Sequence, residues 1–221
     1  TTLLFSIGYG IFLRGLPVPG GDRIMAVTIS SPATGQRKLG VGLHDYEDWR
    51  AAQRSFESLA GTRIASLNVV VRDGQPERLR GAFMTGNAFA ALGVQPLLGR
   101  TLLPADAAPG ARAVLVLGYG AWTSFFGADP EVVGRTVRAD GHPATIVGVM
   151  PEGFAFPESQ DAWMAIQTDP LQLPRGSGPS LIVFGRLRPG VSRESAQADL
   201  GTTALRLARD FPDTNRNLVP V

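Results

Sequence analysis

The chain of 221 residues contains no cysteine. That excludes a thiol nucleophile, a disulfide framework and Cys-ligated zinc or iron–sulfur sites, and it selects no compartment. Lysine is almost as scarce: Lys38 stands alone, so 20 of the 21 basic residues are arginines. Its predecessor is Arg37, where a phosphate-cradling P-loop needs glycine, and little scope is left for Schiff-base chemistry. Any histidine mechanism is confined to His44 and His142. Charged residues make up only 18% and the net charge is +2, with the arginines scattered, so no electrostatic footprint for nucleic acid is visible.

Long apolar runs are also missing. The uncharged opening Thr1 to Leu13 falls short of the roughly 20 residues that cross a bilayer core. It lacks the basic n-region and small-residue cleavage site of a signal peptide. Two readings stay open on the residues alone. One is a buried strand or short helix; the other is the trailing end of a transmembrane helix, with Arg14 at the interface and Pro17 and Pro19 leading into a domain.

What is present is 44% hydrophobic residues, enough to bury a core and to exclude a disordered chain. Gly (27) and Pro (17) imply many turns and short elements, not a helical bundle. Asp22 to Ser30 reads as a strand. Asp45 is expected to cap a helix with Tyr46, Trp49, Ala52 and Phe56 on one face. Ile64 to Arg72 and Glu77 to Met84 form a hairpin around Asp73-Gly74, and Asn87 to Leu92 a helix closed by Gly93.

Ala113 to Leu117 is a buried-type strand, followed by a helix over Gly120 to Phe126. Thr136 to Ala139 and Ala144 to Val149 pair around Asp140-Gly141. The likeness of the two hairpin turns is shared turn chemistry rather than a repeat. Beyond a Pro/Gly-rich passage, strand Leu181 to Leu187 precedes a helix capped by Ser192, whose face carries Ala196, Leu200, Ala204, Leu207, Ala208 and Phe211. Pro212 ends it, and Asn217 to Val221 starts another strand. The order implies one α+β domain interrupted by a smaller insertion.

No constellation of residues compels chemistry. His44 and Asp48, four apart, could ligate a metal, but capping accounts for the acids more economically. His142 falls in a hairpin turn, and Asp129 and Glu131 flank Pro130 at a helix end. Gly176-Ser177-Gly178 has no strand before it, so it is no nucleophile elbow. Gly118-x-Gly120 lacks the third glycine of a dinucleotide fingerprint, with Thr123 in its place. Trp122, Phe125 and Phe126 at helical spacing read as core. Catalytic, cofactor-binding and metal residues are therefore expected to be none.

The middle of the chain nevertheless has a resemblance. Leu98-Gly99-Arg100 and the run AVLVLGYGAWTSFFGADPEVVGRTVRADGHPATIVGVMPEGFAFP, Ala113 to Pro157, are similar to the periplasmic core domain of MacB-like ABC transporter permeases, within the FtsX/MacB superfamily and notably the large permeases of acidobacteria. YEDWRAAQRSFESLAG (Tyr46 to Gly61), GNAFAALGVQPLLGR (to Arg100) and GRLRPGVSRESAQADL (Gly185 to Leu200) extend it, and FSIGYGIFLRGLPVPGGDRI resembles the family's exit from its first transmembrane helix. Leu43-His44-Asp45 and Ser195 depart from the usual caps.

The resemblance implies an α+β fold of porter-like βαβ units from both ends of the chain with an inserted, mainly β subdomain. The divisions would be the end of a transmembrane helix over 1–16, porter-like parts over 22–98 and 178–221, and the insert over 99–166. It implies a non-catalytic extracytoplasmic domain in the inner membrane, coupled to a cytoplasmic ABC ATPase and, further out, to a periplasmic adaptor protein, with no cofactor and no nucleic acid. A module that captures a lipid, peptide or antibiotic is the alternative reading. A hydrolase using His44 is a distant third.

Overall fold

The computed structural model describes residues 18, 20–30, 37–38, 40–72, 74–215 and 219–220. Thr1 to Leu13, on which the membrane-exit expectation rests, lies outside them, as do Asp73 and Asn217. After a 3-10 turn at Gly21–Arg23 come β1 (Ile24–Val27), β2 (Ile29–Ser30), β3 (Arg37–Lys38), β4 (Val41–Gly42), α1 (Leu43–Ala52), the long β5 (Phe56–Arg72) and β6 (Gln75–Met84). Then follow α2 (Ala88–Leu92), β7 (Leu98–Gly99), β8 (Val114–Leu117), α3 (Tyr119–Phe126), β9 (Thr136–Ala139), β10 (His142–Val149) and β11 (Ala162–Ala165). The last elements are β12 (Ser180–Leu187), α4 (Arg193–Asp210), α5 (Pro212–Asn215) and β13 (Val219–Pro220).

The fold is mixed α and β, as expected, and it separates into two compact units. The first takes its described residues from Gly20–Gly61 and Asp169–Val221, the second from Thr62–Thr168 together with Val18. β5 is common to both, so residues 62–98 group by contact with the later part of the chain.

In the first unit β12 lies between β1 and the start of β5, antiparallel to β1 with Ile24 opposite Arg186 and Val27 opposite Val183. β4 joins the beginning of β12, Val41 facing Leu181. The apolar run Leu181–Leu187 suits a strand paired on both sides, and Leu181, Val183, Phe184 and Leu187 are buried. A separate small sheet pairs β2 with β3 and β13. Ser192 caps α4 as expected, its Oγ accepting from the Ser195 N–H at 3.2 Å. Ala196, Leu200, Ala204 and Leu207 bury one stripe of α4, whereas Ala208 is half-buried and Phe211, beyond the helix, is 41% exposed. The Asp199 carboxylate on α4 accepts from the Arg54 and Ser55 N–H groups, fastening α4 to the link between α1 and β5.

In the second unit the pairings form a ring: β5 with β6, β6 with β11, β11 with β8, β8 with β10, β10 with β9, and β9 back to β5. Both expected hairpins form, with φ of 73° at Gly74 and of 47° and 82° at Asp140 and Gly141, the left-handed region that tight two-residue turns require. Leu67, Val69, Leu79, Leu115, Leu117, Ile146 and Val149 fill the core with Trp122 and Phe126 of α3. A second cluster sets Trp163 against Phe89 and Phe154, ring centroids 5.8 and 5.3 Å away.

Candidate functional site

The expected cap of α1 is displaced. The helix starts at Leu43 with Gly42 as N-cap and no side-chain cap, so Asp45 lies within the first turn and Phe56 belongs to β5 instead of the helical face. Asp45 is only 8% exposed, and its Oδ1 accepts from Arg175 Nη2 at 2.9 Å and from the Asn215 side-chain amide at 2.7 Å. The same guanidinium reaches Asp48 Oδ2 at 2.5 Å and lies 3.8 Å above the Phe211 ring. His44 Nε2 sits 2.9 Å from the Pro170 carbonyl and 3.1 Å from that of Leu173, which makes it the donor to two backbone oxygens. The residues weighed as metal ligands are thus fasteners for a loop. Among the described residues no group of three or more His, Asp and Glu side chains could hold a metal.

The remaining candidates are also accounted for locally. Asp129 caps the turn Pro130–Val132 by accepting from the Glu131 N–H at 2.8 Å, and it pairs with Arg135. His142 is exposed at the start of β10. Ser177 Oγ donates to the Pro174 carbonyl at 2.6 Å. Gly118 is the N-cap of α3, at the edge of an open concavity of about 280 Å³ lined by Gly120, Arg80, Glu152, Gln160 and Asp161 among others. A second, of about 220 Å³, lies between Val71, Gln75, Glu77, Ser124 and Phe125. Both fall below the about 300 Å³ at which small-molecule sites begin.

Sequence reasoning overlooked the ion pairs that fasten loops and strands. Arg175 is the one charged residue between Pro170 and Pro179, and a lone arginine amid Gly and Pro was the available signal. In the Leu98-Gly99-Arg100 motif, Arg100 grips Asp106 with both terminal nitrogens, at 2.6 and 2.9 Å, while Asp106 accepts from the Leu103 N–H at 2.8 Å. That closes the turn Pro104–Ala107.

Arg80 and Asp161 form the third such pair, with the carboxylate accepting from the Arg80 backbone N–H at 2.9 Å, from Nε at 3.1 Å and from Nη2 at 2.9 Å. Burial alone would push the Asp161 carboxyl up, but the Arg80 hydrogen bonds and charge prevail and hold it below the usual carboxylate range. A depressed carboxyl contributes stability above its unfolded pKa, about 3.9, and loses it as pH falls through the lower folded value. Asp161→Asn is therefore expected to lower the melting temperature at pH 7 and to converge with the parent chain well below pH 4. A deficit unchanged down to pH 2 in thermal melts would count against this.

This fold is that of the extracytoplasmic domains of transporter permeases. Similar solved structures are a domain assigned to a permease protein of Porphyromonas gingivalis (18% identity, TM-score 0.65, covering 92% of this chain and 90% of that one) and the periplasmic region of MacB from Actinobacillus actinomycetemcomitans (16%, 0.62, 96% and 94%). The extracellular domain of the noncanonic ABC-type transporter YknZ from Gram-positive bacteria is a third (14%, 0.63, 89% and 99%). The chain belongs to the MacB-like periplasmic core domain family, whose profile matches residues 1–203. It is accordingly the periplasmic domain of a MacB-like ABC transporter permease, an extracytoplasmic region of a membrane protein for which an ATPase partner is implied. The family is not a known catalytic one. No curated protein matches the sequence. No helix among the described residues is long and apolar enough to cross a membrane.

Proposed function

We propose that this domain is a non-catalytic coupling element, which converts ATP hydrolysis by the cytoplasmic subunit into movement or partner binding in the periplasm, for efflux or mechanotransmission. The observation that carries the reading is the make-up of the first unit. β1 and β12, more than 150 residues apart in the chain, pair directly, and Arg186 donates to the Gly20 carbonyl at 2.9 Å. In this reading a force that reaches Gly20 passes through the Arg186 contact and the β1–β12 pairing into the sheet. Thr1 to Leu13 supplies the segment before Gly20 as the end of a transmembrane helix in the inner membrane. The porter-like role over 22–98 and 178–221, the insert over 99–166 and a periplasmic adaptor as further partner belong to the same reading.

Hydrogen exchange of the full-length permease with its ATPase, nucleotide-free and trapped with ATP and vanadate, tests it. Coupling requires nucleotide-dependent exchange within this domain. Identical exchange throughout overturns it, and saturable binding of a lipophilic probe in its place would establish the capture reading.

A further inference from the structure

From residue 169 to residue 180 no side chain is buried, although the segment lies on a unit with a full apolar core. Leu171 is 89% exposed. Apolar packing therefore does not hold this segment; two polar fastenings do. His44 binds the carbonyls of Pro170 and Leu173, and Arg175 bridges Asp45 and Asp48 on α1 while covering Phe211. Both fastenings are incomplete. His44 Nδ1 and Arg175 Nε are buried and find no protein partner among the described residues, and two carboxylates share one guanidinium.

Segments with few buried contacts and polar anchoring open at lower free energy than the core around them. Gly176 and Gly178, at φ of 84° and 93°, adopt backbone conformations that favour glycine and place two hinge points beside the arginine. The anchored node matters beyond the segment itself. Asp45 Oδ1 is held by Arg175 and by the buried Asn215 of α5 together, so the latch joins the start of α1 to the element that leads into β13.

We propose that residues 169–178 form a releasable strap, latched by Arg175 and His44 across α1 and α5, which opens during the nucleotide cycle and frees α5 to move against α1. This rests on the coupling reading above. The strap is not a cargo site; its opening removes the Arg175 bridge and the ring contact with Phe211, leaving Asp45 paired with Asn215 alone.

The test uses the full-length permease with its ATPase in nanodiscs. Trapping with ATP and vanadate should raise amide exchange in 169–178 by about tenfold or more, the scale of one lost charge-assisted hydrogen bond. Arg175→Ala should produce the same rise without nucleotide, and Arg175→Lys, which keeps the charge and the donors but loses the planar guanidinium contact with the Phe211 ring, a smaller one. This chain has no cysteine to interfere with a cross-link. A Cβ built at Gly176 lies 3.8 Å from Thr214 Cβ, within the span of a disulfide. Oxidised Gly176→Cys/Thr214→Cys should lose most ATP turnover and regain it on reduction, while Gly176→Cys alone separates backbone strain from locking.

Full turnover with the disulfide verified by mass spectrometry overturns the strap. So does nucleotide-dependent exchange confined to other parts of the domain, which would leave coupling intact. Exchange that is independent of nucleotide everywhere overturns both.

Discussion

Trp163→Ala is expected to destabilise the second unit by about 3–5 kcal/mol, the usual cost of removing a large aromatic side chain from a core that cannot collapse around the void. Trp163 has no exposed surface. Its ring meets Phe89 edge-on and Phe154 at a tilt, and its Nε1 donates to the Phe156 carbonyl at 2.7 Å, so truncation leaves a cavity and removes a buried hydrogen bond together. Its strand β11 lies between β6 and β8, Trp163 facing Ala82 and Val116, and the damage reaches both neighbours. Chemical denaturation followed by hydrogen exchange measures this. Loss of protection should centre on Thr62–Thr168, and a change below about 1 kcal/mol would refute the packing account.

Gly148→Ala should be nearly as severe, for a different reason. Gly148 sits opposite Gly99 at the β7–β10 pairing, at a register shift in the pairing of β10 with β8. A Cβ at this position would lie 2.1 Å from the Arg100 carbonyl oxygen and 2.9 Å from that of Leu98. Those are backbone atoms, which cannot rotate away as a side-chain tip can. Gly99 is itself at φ of 66°, with its own Cβ position 2.2 Å from the Val147 oxygen. The expected cost exceeds the roughly 1–3 kcal/mol typical of overpacking, because relief requires β7 to separate from β10. Gly120→Ala, whose Cβ would meet nothing within 4 Å, serves as the control and should change little. Equal stabilities for the two variants in denaturant titrations would show that the strand approach is looser than described.

These two positions show what was legible and what was not. Gly148 and the triplet Leu98-Gly99-Arg100 both lie in stretches that carry the family resemblance, yet the strand-to-strand approach that demands glycine joins residues some fifty positions apart and leaves no local trace. The hairpin turns were readable because Asp-Gly chemistry acts between adjacent residues, as Asp140 and Gly141 confirm. The cap of α1 falls at Gly42, three residues before the expected Asp45. Asp45 has the chemistry of a cap, but its carboxylate is claimed by Arg175, which lies 130 residues on. A divide between compact units at Gly61 and Thr62, inside the single strand β5, offers no Gly/Pro run to read.

For the candidate site the contrast is sharper. His44 and Asp48 were visible as polar residues one helical turn apart, and the choice between ligand and cap missed the third use, because the partners Pro170, Leu173 and Arg175 enter only through the chain's return. The sequence alone determined the alternation of short strands and helices, the α4 stripe with its Ser192 cap, the lack of thiol and P-loop chemistry, and the family. These depend on spacing and residue type within a few neighbours. Only the tertiary structure decided that the second unit's strands close into a ring, that Asp161 is held ionised by Arg80, and that the Pro/Gly-rich segment is pinned by one histidine and one arginine. Each of those is a long-range contact whose energy comes from burial and charge at close approach, quantities that exist only once the chain has folded.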